Sequence, residues 1–160
     1  MSPPPDPRVR RVRRATVADA ETVGRLLHDF NSEYDNPTPG PGALAERLRQ
    51  LIGAGEVSVL LTADGAHGLA LLRLRPYLWG DGLDCYLEEL YVVPDRRGQR
   101  LGRALMEAAI ELARDAGAVR MDLGTGAEDV AARTLYESLG FSSTEGEPGA
   151  PANYFYEREL

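Results

Sequence analysis

The residues between Asp95 and Gly102 combine three arginines with two glycines, a set of residue types suited to binding an anion. Glycine lets the backbone turn tightly and approach a ligand closely, while the arginine side chains gather positive charge there. A strand pattern precedes this turn, and an apolar pattern with helical spacing follows it. Because the first N–H groups of a helix are unpaired and lie at its positive end, this strand, turn and helix predict a cradle for phosphate groups.

The two familiar phosphate-binding motifs do not fit this turn. The nucleotide-binding P-loop requires a lysine, but all 18 basic residues of the chain are arginine. The same composition excludes Schiff-base chemistry on a lysine. Neither Gly98–Arg103 nor Gly124–Asp129 supplies the dinucleotide fingerprint G-x-G-x-x-G, although the second segment follows a predicted strand. A nucleotide-binding regulatory domain that uses Gly124–Asp129 is therefore a weakly supported interpretation, ranked below the two that are given at the end of this section.

Composition and charge narrow the function classes further. The chain has 160 residues, 43% hydrophobic and 27% charged, which suits one soluble domain. No apolar run approaches the ~20 residues of a membrane span, and the N-terminus lacks an apolar signal region, so we expect a cytoplasmic protein. The net charge of −7 argues against nucleic acid as the main partner and favours cationic ones. The proline-rich residues 1–7 predict a disordered lead-in to a single domain over residues 8–160.

Metal and thiol chemistry have few residues to use. The chain contains one cysteine, Cys85, and two histidines, His28 and His67, which lie far apart in the sequence. Such a set forms neither an intramolecular disulfide nor a cysteine metal cluster, and we expect no metal site. Cys85 is predicted to be a small buried hydrophobic residue, because only the histidines could activate it as a nucleophile.

Apolar periodicity predicts the elements that must position these residues. The predicted strands are 8–15, 57–62, 69–78, 87–93 and 119–123, with two closing strands at 141–143 and 154–159. The predicted helices are 17–31, 43–53, one that begins near Arg100, and 129–139. Two glycine turns make the first strands an antiparallel meander, and the helical crossover makes strands 87–93 and 119–123 parallel neighbours. The expected fold class is α/β (α+β), with a mixed central sheet flanked by helices.

Two adjacent carboxylates, Glu88 and Glu89, lie in the strand before the anion-binding turn. Carboxylates are common general acids and bases, so either residue could accept or return a proton. Adjacent strand residues point to opposite faces, so only one of the two should face a ligand unless a bulge intervenes. A pair of solvated or ion-paired acids is the alternative interpretation.

The last predicted helix carries a second set of candidate residues. Asp129, Ala132, Arg133 and Tyr136 share one helix face because of their spacing. The small side chain of Ala132 leaves room for a slender ligand. The Tyr136 hydroxyl, with an ordinary pKa of about 10, is a possible proton donor, whereas simple packing is the alternative.

Together these segments resemble the GNAT superfamily of N-acetyltransferases. Arg97-Gly98-Gln99-Arg100-Leu101-Gly102 is similar to the cofactor signature R/Q-x-x-G-x-G/A of that family, with Arg100 in place of the central glycine. Asp129–Tyr136, which runs into Leu139-Gly140-Phe141, is similar to the family helix N-x-x-A-x-x-x-Y and its L-G-F ending. Asp129 replaces the asparagine of this motif. The resemblance covers about residues 8–160, with the specific motifs confined to 87–141.

The resemblance implies a single-domain GNAT fold and an enzyme that transfers the acetyl group of acetyl-CoA directly to a primary amine. The cofactor-binding residues that it implies are Leu90, Tyr91, Val92, Arg97, Gly98, Gln99, Arg100, Leu101, Gly102, Arg103, Asp129 and Ala132. It assigns the acid role to Tyr136. Polyamine-acetylating members of the family point to Glu88 as the base, acting through water, with Glu89 as an alternative. A non-catalytic acyl-CoA-binding module is the main rival, since it would need neither an acid nor a base.

The placement of acidic residues predicts a small cationic amine as the acceptor. Asp29, Glu33 and Asp35 surround the end of the first predicted helix. Asp81 and Asp84 flank the hairpin before the central strand. In the GNAT fold these two regions resemble the walls of the acceptor pocket, where carboxylates would concentrate cations. The sequence does not determine the oligomeric state, and a homodimer is compatible with it.

Overall fold

The computed structural model describes residues 11–160, in which five β-strands and four α-helices are found. The strands are β1 Val12–Arg14, β2 Ser58–Thr62, β3 Gly68–Pro76, β4 Leu83–Val92 and β5 Ala118–Leu123. The helices are α1 Ala20–Glu33, α2 Pro41–Gly53, α3 Leu101–Asp115 and α4 Val130–Ser138. The predicted disordered lead-in, residues 1–7, and the first residues of the predicted strand 8–15 lie outside the described residues.

The described chain divides into two compact units. The first unit ends at Leu123 and contains all five strands together with α1, α2 and α3. The second unit, Gly124–Leu160, contains α4. Among residues 11–160 no helix combines the length and the apolar character needed to cross a membrane.

The five strands form one mixed sheet in the order β1-β2-β3-β4-β5. The strands β1 to β4 pair antiparallel, and β5 pairs parallel with β4 after the crossover through α3. The predicted meander and the parallel crossover are therefore confirmed. The hairpin between β3 and β4 turns over Leu78 and Trp79, which are both 81% exposed. Strand β3 ends at Pro76, two residues before the predicted end.

The main core cluster lies between one face of the sheet and the pair α1 and α2. On the sheet side it contains Val59, Leu61, Leu69, Leu71 and Tyr91. On the helix side it contains Val23, Leu26, Leu27 and Leu48. Helix α3 packs on the sheet and buries Leu105 and Met106 completely. Each such buried side chain contributes about 1.5–3 kcal/mol through the hydrophobic effect, so the central strands form a rigid base for the residues at their ends.

The two predicted closing strands, 141–143 and 154–159, are wrong. Neither segment contains a strand, and one backbone hydrogen bond, from the Asn153 N–H to the Ser143 carbonyl (2.7 Å), joins the two regions. The alternating aromatic residues that suggested a strand remain exposed, with Tyr154 at 82% and Tyr156 at 87%. A β-rich sequence forms a strand when one of its faces packs, and these side chains do not bury a face.

Candidate active site

The arginine-rich turn forms between β4 and α3, as predicted. Gly98 (φ +77°) and Arg100 (φ +63°) are both left-handed, and Arg100 is the N-cap residue of α3. The backbone N–H groups of residues 98–102 donate no hydrogen bond to any other residue of the described part. They are therefore available to an anion at the positive end of α3. A Cβ added at Gly98 would meet no atom within 4 Å, so the space beside the turn is open.

Arg97, the first residue of the predicted signature, ties this turn to α1. Its Nη2 donates to both carboxylate oxygens of Glu33, at 3.0 and 2.9 Å, and its Nε donates to the Val92 carbonyl at 3.0 Å. Its guanidinium also lies 5.8 Å from the centroid of the Tyr91 ring. Because Glu33 holds one guanidinium nitrogen and the Val92 carbonyl holds another, the guanidinium is fixed in place, and Arg97 supports the turn rather than extending from it.

Arg100 is the exposed cation of the turn that no acidic side chain between residues 11 and 160 binds. Its guanidinium makes no hydrogen bond or ion pair with any residue between 11 and 160, whereas Arg96 is paired with Asp64 at 2.8 Å. Arg103, in the first turn of α3, lies 3.9 Å from Glu107. The left-handed conformation explains why the related signature has glycine at this position, since a side chain there is strained. The chain accepts that strain and places a positive charge at the mouth of the cradle.

Strand β4 continues beyond its parallel partner. The ladder with β5 ends where Leu87 pairs with Leu123, whereas the ladder with β3 runs on to Val92. One edge of residues 88–92 therefore has no partner strand within the described chain, and its backbone groups can pair with an extended ligand. The predicted cofactor-binding residues Leu90, Tyr91 and Val92 lie here. The Tyr91 side chain itself is buried and stacks on Phe30, with ring centroids 4.8 Å apart.

A β-bulge places both candidate carboxylates on one face of the sheet. Leu71 pairs with Glu89, and the next residue of β3 pairs with Leu87, so Glu88 is an extra residue in β4. Leu71 belongs to the core cluster under α1 and α2, which puts Glu89 on that face. Glu88 accepts a hydrogen bond from Arg73, which lies on the same face of β3 as Leu71. The bulge thus removes the alternation that would have separated the two acids.

Glu89 and Glu88 have different environments. The Glu88 carboxylate is held by Arg73, whereas Glu89 makes no hydrogen bond or ion pair with another residue of the described chain. Burial raises the pKa of Glu89 to about 7, and the charge of Glu88 adds to this effect. A carboxyl group with a pKa near the working pH is suited to accept and return protons, so Glu89 has the properties of a general base.

Charged residues continue along this face toward the start of β4. Asp84 accepts a hydrogen bond from Arg75 at 3.0 Å, and Asp122 of β5 lies 3.9 Å from the same arginine. One oxygen of each aspartate is buried with no hydrogen-bond partner among the described residues. Burial raises the pKa of Tyr86, which pairs with Asp122 in the β4–β5 ladder, and the charge of Glu88 adds to this effect. The face is therefore rich in carboxylates that arginines offset only in part.

The acids predicted to line an acceptor pocket fall into two groups. Glu33 and Asp84 are bound by arginines, so their charges are largely offset. Asp29, Asp35 and Asp81 are exposed and form no ion pair with another residue between 11 and 160. The second group can attract cations, although more weakly than all five acids together.

The second motif lies within the unit Gly124–Leu160. Asp129 is the N-cap of α4, and its side chain accepts a hydrogen bond from the Ala132 N–H at 3.0 Å. Aspartate is a favoured N-cap residue, which gives Asp129 a structural role where the related motif has asparagine. Tyr136 is 8% exposed and packs edge-on against Phe141. Burial raises the pKa of Tyr136 to about 12, with the Asp129 charge adding to it, so the hydroxyl stays protonated at neutral pH.

Sequence reasoning missed Arg73 and Tyr86. The alternation Leu72-Arg73-Leu74-Arg75 gave a signal, because it predicts two cations on one face of β3 opposite the acids of β4. The register across the hairpin was needed to pair them.

The cysteine and histidine considered above as reactive residues, Cys85 and His28, have structural contacts. Cys85 is fully buried, as predicted, and burial raises the pKa of its thiol to about 11. His28 hydrogen-bonds Thr38 at 2.5 Å. No group of three or more metal-ligating side chains is arranged for a metal within the described chain.

Comparisons with known proteins agree on one family. The model of the Acetyltransferase (GNAT) family matches residues 18–141. Aminoglycoside N(6')-acetyltransferase type 1 of Stenotrophomonas maltophilia is 33% identical over 141 residues, which cover 84% of this chain and 87% of that protein. Thialysine N-epsilon-acetyltransferase of Bos taurus is 29% identical over 81% of this chain and 82% of that protein. A crystal structure of a candidate acetyltransferase from Arthrobacter sp. FB24 has a TM-score of 0.85 and 46% identity over 93% of this chain and 95% of that chain.

Proposed function

The chain belongs to the acetyltransferase (GNAT) family, and from this premise we propose that it transfers the acetyl group of acetyl-CoA directly to the primary amine of a small cationic acceptor. The observation that carries this proposal is Glu89. It is a carboxyl group without an ion-pair partner among residues 11–160, its pKa is about 7, and it lies in the strand that leads into the phosphate cradle.

Two features of the first unit fit acetyl-CoA. The unused N–H groups of residues 98–102 and the exposed Arg100 suit a pyrophosphate. The open edge of residues 88–92 suits the pantetheine arm, whose amide groups can pair with a strand. When bound, acetyl-CoA would supply the acetyl group to be transferred, held as a thioester whose C–S bond breaks to leave a thiolate.

Glu89 is the proposed proton acceptor for the amine. An alkylammonium with a pKa near ~10.4 is protonated at neutral pH and must lose a proton before its nitrogen can attack. Transfer to a carboxylate with a pKa of about 7 is uphill by about three pH units, or about 4–5 kcal/mol. An ordinary carboxylate would add about 3–4 kcal/mol more. The smaller cost fits within the barrier of about 16 kcal/mol that corresponds to a turnover of roughly 10 per second.

Tyr136 is the proposed proton donor to the leaving thiolate, a role implied by the family resemblance. Its buried phenol, with a pKa of about 12, holds its proton at neutral pH. Because an ordinary thiol has a pKa of about 8.5, full proton transfer from this phenol is uphill. The hydroxyl therefore acts first as a hydrogen-bond donor that stabilises negative charge on sulfur, and the thiolate can take its final proton from solvent.

Two observations support a cationic amine as the acceptor. Glu88, Glu89 and Asp122 share one face of the sheet, and Asp29 and Asp81 add exposed negative charge without an arginine partner in the described chain. The names of the two relatives compared above specify amine nitrogens as acceptors, in an aminoglycoside and in thialysine.

A panel of acceptors tests the proposal. We expect acetyl-CoA-dependent release of free thiol with polycationic primary amines, and kcat/KM should fall as salt rises because screening weakens steering. The matched control for each amine is the same compound with every primary amine N-acetylated, which should release no thiol above background. Best reaction with neutral or anionic acceptors, or salt-independent kcat/KM for the cationic ones, would contradict the acceptor class. Absence of amine-dependent thiol release across the panel would contradict the transfer itself.

A further inference from the structure

We propose that Arg73 is a positioning residue for the reaction. Its ion pair with Glu88 offsets part of the negative charge beside Glu89, and it thereby sets the pH range in which Glu89 accepts a proton. This inference rests on the proposed role of Glu89 as the base.

The bulge in β4 places two acidic side chains where a nearby cation would stabilise them. It brings two consecutive carboxylates to the same face of the sheet, where like charges repel each other. Arg73 lies opposite Tyr86 in the β3 ladder and donates from its Nε to Glu88, so the ion pair crosses from β3 to the bulge. The side chains are 41% and 33% exposed, respectively, which leaves the pair accessible while Glu89 is more buried.

The other charged groups near this face are engaged elsewhere or lie farther along it. On β3, Arg75 is bound to Asp84 and lies near Asp122. Beyond Tyr91, the groups on the α1 side are Asp29, Glu33 and the Glu33-bound Arg97. On β4 and β5, the remaining titratable or charged neighbours are Tyr86 and Arg120. Within the described chain, Arg73 is therefore the cation that offsets the charge beside Glu89.

Removing Arg73 and removing the Glu88 charge should change the pKa of Glu89 in opposite directions. Without Arg73, the negative charge of Glu88 is no longer offset, so proton binding to Glu89 becomes more favourable and its pKa rises. Without the Glu88 charge, ionisation of Glu89 becomes easier and its pKa falls. Burial is the larger cause of the raised pKa, so Glu89 should still titrate above an ordinary glutamate in the second case.

The test is the titration of Glu89 followed by carbon NMR on protein labelled at the glutamate carboxyl groups, with the signal assigned through Glu89→Gln. We expect the midpoint to rise by about one pH unit in Arg73→Gln and to fall by about one in Glu88→Gln. Arg73→Lys keeps the charge and should restore most of the wild-type value. Arg75→Gln is the matched control, because it removes a cation from the same face of the same strand but from a different ion pair.

The outcomes separate this inference from the proposed function. An unchanged Glu89 midpoint in folded Arg73→Gln, or an equal change in Arg75→Gln, would overturn the role of Arg73. If Arg73→Gln does not fold, Glu88→Gln and Arg73→Lys decide the same question, and an unchanged midpoint in Glu88→Gln overturns it. If the midpoint moves as expected but the acidic limb of kcat/KM does not follow, the electrostatic link holds and Glu89 is not the base.

Discussion

At the residue scale, Tyr136 offers the simplest separation of chemistry from packing. Tyr136→Phe removes the phenolic proton and keeps the ring that packs against Phe141. We expect kcat to fall by about 10²- to 10³-fold, or about 3–4 kcal/mol of barrier, because a hydrogen-bond donor to the developing thiolate is lost, with little change in the affinity for acetyl-CoA. Steady-state kinetics and calorimetry measure the two effects, and Tyr154→Phe, at an exposed position of the same unit, is the control. Wild-type turnover in Tyr136→Phe would assign this residue to packing.

The sequence identified the pair Glu88 and Glu89 but could not choose between them. Family resemblance favoured Glu88, whereas the structure binds Glu88 to Arg73 and leaves Glu89 without an ion pair among residues 11–160. The difference depends on the bulge, which follows from the strand register, and on burial, which follows from packing. Neither quantity can be calculated from residue types and spacing alone.

At the element scale, Arg100 in the turn before α3 combines a strained left-handed backbone with a positive charge. A left-handed conformation costs a residue other than glycine about 1–2 kcal/mol, so Arg100→Gly should raise the melting temperature. The same change removes a cation from the cradle and should weaken acetyl-CoA binding several-fold at low salt. Arg100→Ala is the matched control, because it loses the charge and keeps the strain. Calorimetry should give similar affinity losses for both variants, and only the glycine variant should gain stability.

A further prediction for the same turn concerns a bulky residue at Gly102. Gly102 lies in the first turn of α3, among the N–H groups of the cradle. We expect Gly102→Leu to weaken acetyl-CoA binding far more than Arg100→Ala does, because the side chain would keep a pyrophosphate away from the helix end. An unchanged affinity in Gly102→Leu would place the cofactor phosphates elsewhere.

Most elements could be predicted because they carry their own end signals. The order of helices and strands up to α4 is confirmed, and glycines or prolines end several of them within two or three residues of the predicted position. The segment before α1 shows such a signal, because the Asp19 carboxylate accepts a hydrogen bond from the Thr16 N–H at 2.8 Å. The closing strands failed because their aromatic pattern did not become a buried face, which only tertiary packing decides.

At the scale of the whole molecule, the predicted family, fold class and enzyme class are confirmed by the family match and by the structural likeness. The rival nucleotide-binding interpretation is set aside by the same findings. The cofactor and acid–base residues, the homodimer and the cytoplasmic location stay predictions. All 18 basic residues of the chain are arginine, so the enzyme has no lysine side chain that it could acetylate on itself.

We propose that Glu89 accepts the proton of the acceptor amine, and the pH dependence of kcat/KM in Glu89→Gln measures this role. The wild-type enzyme should lose activity as the pH falls through about 7, because protonated Glu89 cannot act as a base. In Glu89→Gln we expect this acidic limb to disappear and kcat/KM above pH 7 to fall by about 10²-fold or more. In the matched variant Glu88→Gln the limb should persist at lower pH. An intact limb near pH 7 in folded Glu89→Gln would contradict the claim.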